Sequence, residues 1–293
     1  MTTTVYGKCI LAGEHAVLRG CPAIVFPVLA RSLTLRYRDD GQPFSVSFSG
    51  THGDEMRLLF SGVLERAAQM TSLSRDEIRG HFEIMNEIPV GAGMGASAAL
   101  SVAVGRWFQW KNKVSIDELH EFCRQLENLF HGESSGLDIA AALAGRGLRF
   151  VRGGERSPVV VAWQPIWFVS YSGQRGITSE CVSRVKALHE RDPELGRKID
   201  RQMSDAVVAA EAALLRDTPE SFGELARAIE LAGSCFKQWD LTNGEIGTHM
   251  QMLLSRGAAA VKPPGSGDGG FVLSLWRETP PADLQAQLIS LNP

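Results

Sequence analysis

The stretch from Ile88 to Leu100, Ile-Pro-Val-Gly-Ala-Gly-Met-Gly-Ala-Ser-Ala-Ala-Leu, constrains this chain more than any other. The apolar residues Phe82, Ile84, Met85 and Ile88 read as a strand before it, and Ser97 to Trp110 reads as a helix after it. Gly91, Gly93 and Gly95 can adopt positive φ without a Cβ penalty and allow a ligand close to the backbone. Where such a loop enters a helix, unpaired N–H groups and the helix dipole attract an anion. Two readings stay open from this stretch alone. It can be a phosphate cradle, or a tight turn that needs glycine, with Ser97 as a helix cap.

Two other nucleotide loops fit less well. No Gly-Lys-Ser/Thr follows the glycines, which excludes the Walker pattern. Gly91, Gly93 and Ala96 match the dinucleotide fingerprint, but the region Ser115 to Glu118 reads as a helix start where that fold needs a strand ending in an acid.

The chain before this loop is strand-rich. Val5 to Leu11, Ala23 to Val28, Ser32 to Tyr37 and Phe44 to Phe48 are expected strands, followed by a helix over Glu55 to Met70. After the loop, Ser115 and Glu118 form a capping-box pattern for a helix with the stripe Ile116, Leu119, Phe122, Leu126 and Leu129/Phe130, ending at His131-Gly132. The small-residue run Ile139 to Ala144 follows. Leu148 to Val151, Val159 to Trp163 and Ile166 to Tyr171 are expected strands. Helices are expected over Thr178 to Arg191, Arg197 to Arg216, Pro219 to Trp239, Glu245 to Arg256 and Pro281 to Leu291. Strands at Ala259 to Lys262 and Phe271 to Trp276 bracket a second glycine-rich turn, residues 263–270. This order predicts an α+β protein of two domains, 1–155 and 156–293.

Bulk properties narrow the function. A net charge of −3 offers no general attraction for nucleic acid, and no apolar run is long enough for a membrane span. The five cysteines lack metal spacing, which predicts reduced thiols. The opening Met-Thr-Thr-Thr-Val-Tyr-Gly-Lys has neither the basic start nor the apolar core of a secretory signal, so a cytoplasmic protein is expected.

Several side chains could carry chemistry, each with a plainer alternative. Lys8 lies among apolar neighbours on a strand, where it either meets a carboxylate or sits on a wet edge. Glu127 flanks the apolar stripe of its helix and could simply be solvated. Asp138 follows Ser-Gly-Leu at a helix start and could be a cap, and His131 could only serve a helix C-terminus.

Order and spacing add a resemblance. Gly-Lys-Cys-Ile-Leu-Ala-Gly-Glu-His-Ala-Val at 7–17, the loop at 89–99 and Lys-Pro-Pro-Gly-Ser-Gly-Asp-Gly-Gly at 262–270 resemble the three motifs of the GHMP kinases, in that family's order. His131-Gly-x-x-Ser-Gly-x-Asp138, with Glu127 upstream, and Ser172-Gly-Gln-Arg-Gly-Ile-Thr178 are most similar to the mevalonate kinase branch. The resemblance implies a two-lobe fold: an N-terminal mixed sheet with helices, a C-terminal ferredoxin-like α/β sandwich, and an active site between the lobes. It implies ATP-dependent phosphorylation of the primary hydroxyl of mevalonate. Gly91, Ala92, Gly93, Met94, Gly95, Ala96 and Ser97 would bind the nucleotide phosphates, and Ser97 and Glu127 would hold Mg²⁺. Asp138 would take the hydroxyl proton with Lys8 beside it, and Glu14, His15, Ser135, Thr178 and Arg175 would position the substrate.

Some positions depart from the family pattern. Tyr6 stands in place of a usual Pro, and Met94 and Ala96 replace Leu and Ser. Asp268 puts a negative charge in the third glycine loop. Glu133-Ser134 replaces the commoner Asn-Pro, an awkward acid for an anionic substrate. The expected partner is a small molecule, without nucleic acid or membrane, and a homodimer is left open. Alternatives are a kinase of the same superfamily acting on phosphomevalonate or a sugar, a non-catalytic nucleotide-binding homologue and a nicotinamide oxidoreductase. A mevalonate-diphosphate decarboxylase fits less well, because Lys8 is kept beside Gly-Glu-His.

Overall fold

A computed structural model describes residues 1–131 and 134–292, with His131 described by its backbone alone. The expectations placed on the His131 side chain, Gly132 and Glu133 lie outside the described residues. Two compact units emerge: residues 1–8, 31–90 and 94–145 form the first, and residues 9–30, 91–93 and those from Arg146 onward form the second.

Strand β1 (Thr2–Ala12) and the long β2 (Ala23–Pro43) contribute to both units. Two separate strands are expected where β2 runs unbroken, because Leu29, Ala30 and Arg31 include no turn former to pull the backbone out of the extended state.

In the first unit, β3 (Ser45–Gly50), α1 (Gly53–Met70) and β4 (Arg79–Asn86) form a crossover. β3 lies parallel to β4, pairing Val46 with Phe82, and a parallel pair needs such a connection. On its other side β4 runs antiparallel to β2, pairing Ile84 with Leu35. Alternation along β4 buries Phe82 and Ile84 and leaves Glu83 half-exposed. Phe82 packs against Phe60 of α1, Tyr37 of β2 and Trp107 of α2 (Ala96–Trp110) at ring separations of 5.6, 4.7 and 5.1 Å. Gly105 lets α3 (Leu119–His131) lie close to α2, since a Cβ there would come within 3.2 Å of Leu119 Cδ1. The capping-box bonds between Ser115 and Glu118 form as expected. They close a turn before the helix, however, and Ile116 is exposed and off the buried stripe of Leu119, Phe122 and Leu126. α4 (Leu137–Ala144) completes this unit.

In the second unit, β2 pairs Ala23–Val25 with β5 (Leu148–Phe150), and β5 pairs with β6 (Arg156–Pro158). Val159 to Trp163 is not a strand as expected. The Ala162 N–H and the Trp163 indole N–H instead bind the Leu214 and Ala213 carbonyls, at 2.8 and 2.9 Å. Those carbonyls end α6 (Pro193–Leu215), where the helix leaves acceptors open. α6 also starts before Arg197: Asp192 caps the Leu195 N–H and Pro193 opens the first turn.

A separate antiparallel sheet holds β7 (Ile166–Tyr171), β8 (Ala260–Lys262), β9 (Phe271–Trp276) and β10 (Ile289–Ser290) in the order β10-β7-β9-β8. Helices α5 (Thr178–Arg191), α6, α7 (Ser221–Gln238) and α8 (Gly244–Ser255) connect β7 to β8, the ferredoxin-like pattern. β9 is buried on both faces, and Val272 and Trp276 join Ile246, Met250 and Leu253 of α8 in the core. The final helix expected over Pro281 to Leu291 is reduced to one turn, α9 (Ala282–Gln285). Residues after it pair with β7, and Asn292 ties them down by donating to the Pro165 carbonyl and accepting from the Trp167 indole. An open sheet edge outcompetes local helix propensity. All five cysteines are free thiols, and no helix of the described residues is long and apolar enough to cross a membrane.

Candidate active site

The glycine loop leaves β4 through Asn86, a buried side chain that donates to the Ile88 carbonyl at 2.8 Å and accepts from its N–H at 3.2 Å. Gly91, Gly93 and Gly95 then take φ of 70°, 84° and 78°. The alternate residues Ala92 and Met94 point inward and are buried, so the loop is anchored through its side chains and bare along its glycines. Gly95 is the N-cap of α2 and supplies no side-chain acceptor, which leaves the first N–H groups of the helix available to an anion. Ser97 is therefore not the cap; it is the second residue of α2.

The first unit gathers the expected catalytic pair. The Lys8 N–H donates to the Met94 carbonyl at 2.9 Å, which fixes β1 beside the end of the loop. Lys8 is 7% exposed, and its Nζ lies 3.0 Å from Oδ2 of Asp138, which is 27% exposed. Gly95 makes room for this lysine, since a Cβ there would sit 2.9 Å from Lys8 Cγ. Asp138 lies in the first turn of α4 behind Gly136, whose φ of 81° suits glycine. Its neighbour Glu127, on α3, is only 1% exposed. Burial, and then the charge of Asp138, push the Glu127 carboxyl well above the usual range, while the Ser134 hydrogen bond and the charge of Lys8 pull it partly back. A buried carboxylate near a second acid fits a hard cation with oxygen ligands. No group of three or more His, Cys, Asp or Glu side chains able to hold a metal occurs among the described residues. Ser135 is half-buried, and its hydroxyl accepts from the Leu137 N–H at 3.2 Å.

The second unit gathers most of the expected substrate residues. Glu14 and Lys262 form an ion pair at 2% and 0% exposure, and Lys262 also donates to the Ile10 carbonyl at 3.1 Å. This pair ties the first motif to the third. His15, with φ of 57°, turns its ring so that Nε2 meets the Ser266 carbonyl at 2.9 Å, and it packs edge-on to Phe236 and Trp239. Burial pushes the His15 pKa down to about 4, against the opposing effect of that carbonyl. Thr178 lies 3.4 Å from Ser266, hydroxyl to hydroxyl. Ala92, Gly93, Gly176, Thr178, Gly265 and Ser266 line one narrow cleft, so the two glycine turns face each other. Arg175 is exposed with its guanidinium against Gly91, where a Cβ would lie 3.6 Å from Nη1.

Residues 59–146 match the GHMP kinases N terminal domain. Mevalonate kinase of Pyrococcus horikoshii is 28% identical over 295 residues, spanning 92% of this chain and 86% of that protein. The fold matches L. major mevalonate kinase, solved in complex with R-mevalonate, at a TM-score of 0.80 and 21% identity, covering 98% of this chain and 89% of that one. Streptococcus pneumoniae phosphomevalonate kinase matches at 0.74 and 14% identity, covering 95% and 92%.

The chain is similar to the GHMP kinases, and most of all to mevalonate kinases.

The charge of Asp268, a departure from the pattern the chain resembles, is directed into an ion pair. Asp268 takes φ of 58° and meets Arg184 Nη2 of α5 at 3.1 Å, while Arg184 Nη1 reaches the Asp240 carbonyl at 2.7 Å. Asn86 was not singled out from the sequence; the signal that could have found it is the Asn-x-Ile spacing, a turn-forming side chain two residues before its partner. The supporting roles of three further residues escaped sequence reasoning. Ser266 supplies the carbonyl that holds His15. Ser134 donates to Glu127, and Asn128 accepts from the Ser134 N–H.

Proposed function

We propose that this chain transfers the γ-phosphoryl group of ATP to the primary hydroxyl of mevalonate, giving 5-phosphomevalonate and ADP. The observation that carries this reading is the Lys8–Asp138 pair, 3.0 Å apart, on a strand bonded to the end of the phosphate loop. Asp138 accepts the hydroxyl proton as the new O–P bond forms and the bond from the γ-phosphorus to ADP breaks. The Lys8 ammonium offsets the charge that gathers on the attacking oxygen. Residues 91–97 cradle the phosphates through their N–H groups and the dipole of α2.

Ser97 and Glu127 would hold Mg²⁺, which when bound neutralises phosphate charge. Glu14, His15, Ser135 and Thr178 position the substrate, and Arg175 provides a cation for an anionic group. In the same proposal, residues 1–155 and 156–293 are the two functional domains, and the protein works in the cytoplasm on small molecules.

The test is ADP release with Mg-ATP and a panel of mevalonate, phosphomevalonate and galactose. Turnover of mevalonate is expected. Silence with mevalonate and turnover of phosphomevalonate or galactose would overturn the substrate assignment while keeping the kinase.

A further inference from the structure

The described residues before α4, Ser134 to Gly136, are held by three bonds that converge on Ser134, two of them at its hydroxyl. The Asn128 carboxamide, on α3, accepts the Ser134 N–H at 2.8 Å and fixes the backbone of that residue. The Ser134 Oγ accepts the Gly136 N–H at 3.1 Å, which occupies one lone pair and sets the direction of the hydroxyl. The hydroxyl proton is then donated to Oε2 of Glu127. Ser134 and Glu127 are both buried, so water does not substitute freely for this bond.

We infer that Ser134 is a positioning residue for Glu127, held in place by Asn128, and that it directs the carboxylate for a divalent cation. The inference rests on the proposed role of Glu127 as a cation ligand. A donor fixed on one carboxylate oxygen restricts rotation of the group and leaves the other oxygen as the ligating atom. This is the way a hydrogen-bond partner behind a ligating carboxylate tunes affinity. The position is also one where the chain departs from the family pattern it resembles, which commonly has Pro there, and Pro has neither a hydroxyl nor an N–H to offer Asn128.

The test uses the full-length protein and four variants, Ser134→Ala, Ser134→Thr, Asn128→Leu and Glu127→Gln. Mn²⁺ binding in the presence of ADP is measured by electron paramagnetic resonance, beside the Mg²⁺ concentration that half-saturates turnover. Ser134→Ala is expected to weaken Mn²⁺ binding and raise the Mg²⁺ requirement by about 10- to 100-fold. Ser134→Thr keeps the hydroxyl and is expected to stay within a few-fold of the wild type. Asn128→Leu should shift both readouts in the direction of Ser134→Ala.

Unchanged metal affinity in Ser134→Ala, with Glu127→Gln impaired, overturns the role of Ser134 alone. Equal losses in Ser134→Ala and Ser134→Thr would also overturn it, since the hydroxyl would then not be the cause. Unchanged metal affinity in Glu127→Gln removes the ligand role on which the inference depends. Melting temperatures of all four variants identify any that fail to fold; should Ser134→Ala be one, Asn128→Leu and Ser134→Thr decide the matter.

Discussion

Substituting Gly95 by alanine tests the loop and the proposed catalytic pair together. Gly95 has φ of +78°, a conformation that costs a non-glycine residue about 1–2 kcal/mol. A Cβ there would lie 2.9 Å from Lys8 Cγ and 3.4 Å from Lys8 Cε, against about 3.5–4.0 Å for a relaxed carbon contact. The lysine stem must therefore yield by roughly half an ångström or more, and its Nζ is the atom held 3.0 Å from Asp138. Misplacement of about 1 Å in a reacting constellation can cost about 10²-fold in rate. Gly95→Ala should lose about 1–2 kcal/mol of stability in urea unfolding and lower kcat by roughly 10- to 100-fold.

Gly145→Ala is the control. It also has positive φ, 60°, at the end of the helix that carries Asp138, but nothing lies within 4 Å of its added Cβ. It should match Gly95→Ala in lost stability and keep nearly full turnover. If Gly95→Ala is as active as Gly145→Ala, the space beside Lys8 is not what the missing Cβ protects.

Other expectations follow from single residues. Asp138→Asn should lower kcat by roughly 10²- to 10⁴-fold with ATP affinity little changed; near-normal turnover would remove Asp138 from proton transfer. His15 is pushed down to about 4 by burial, so the unfolded chain binds its proton first as pH falls. Its contribution to stability is fully present above about pH 6.5 and is lost toward pH 4, amounting to about 2 kcal/mol between pH 7 and pH 5. The loss of unfolding free energy in urea between those two pH values should be larger in wild type than in His15→Gln by that amount, and identical losses would show that His15 is not the source. Lys262→Met takes the ammonium away from buried Glu14 and should cost about 3–5 kcal/mol, with part of the loss recovered in the double variant Lys262→Met/Glu14→Leu. An unaltered melting temperature in Lys262→Met would show that the pair contributes nothing to the fold.

Much of the site could be read without coordinates because its chemistry is local. The glycine spacing needs only φ preferences, and the structure gives Gly91, Gly93 and Gly95 the positive values that spacing implies. The start of α2 follows from the small-residue run after it. Lys8 and Asp138 were named from motifs; the strand position alone left Lys8 either a carboxylate partner or a wet edge, and the structure gives it Asp138. What local sequence could not carry was competition between distant groups. The last carbonyls of α6 claim the residues expected as a strand at Val159 to Trp163, and the edge of β7 claims those expected as a final helix.

The sequence by itself thus determined where the glycine loop lies, which strand and helix flank it, and which charged residues are candidates for chemistry. Each of these rests on backbone preference or on periodicity over a few residues. Only the tertiary structure decided that Glu127 is buried, that Ser134 donates to it, and that Asp268 turns to Arg184. Burial and pairing are set by which surfaces meet after the chain has folded, and residues far apart in sequence have no local signal for that.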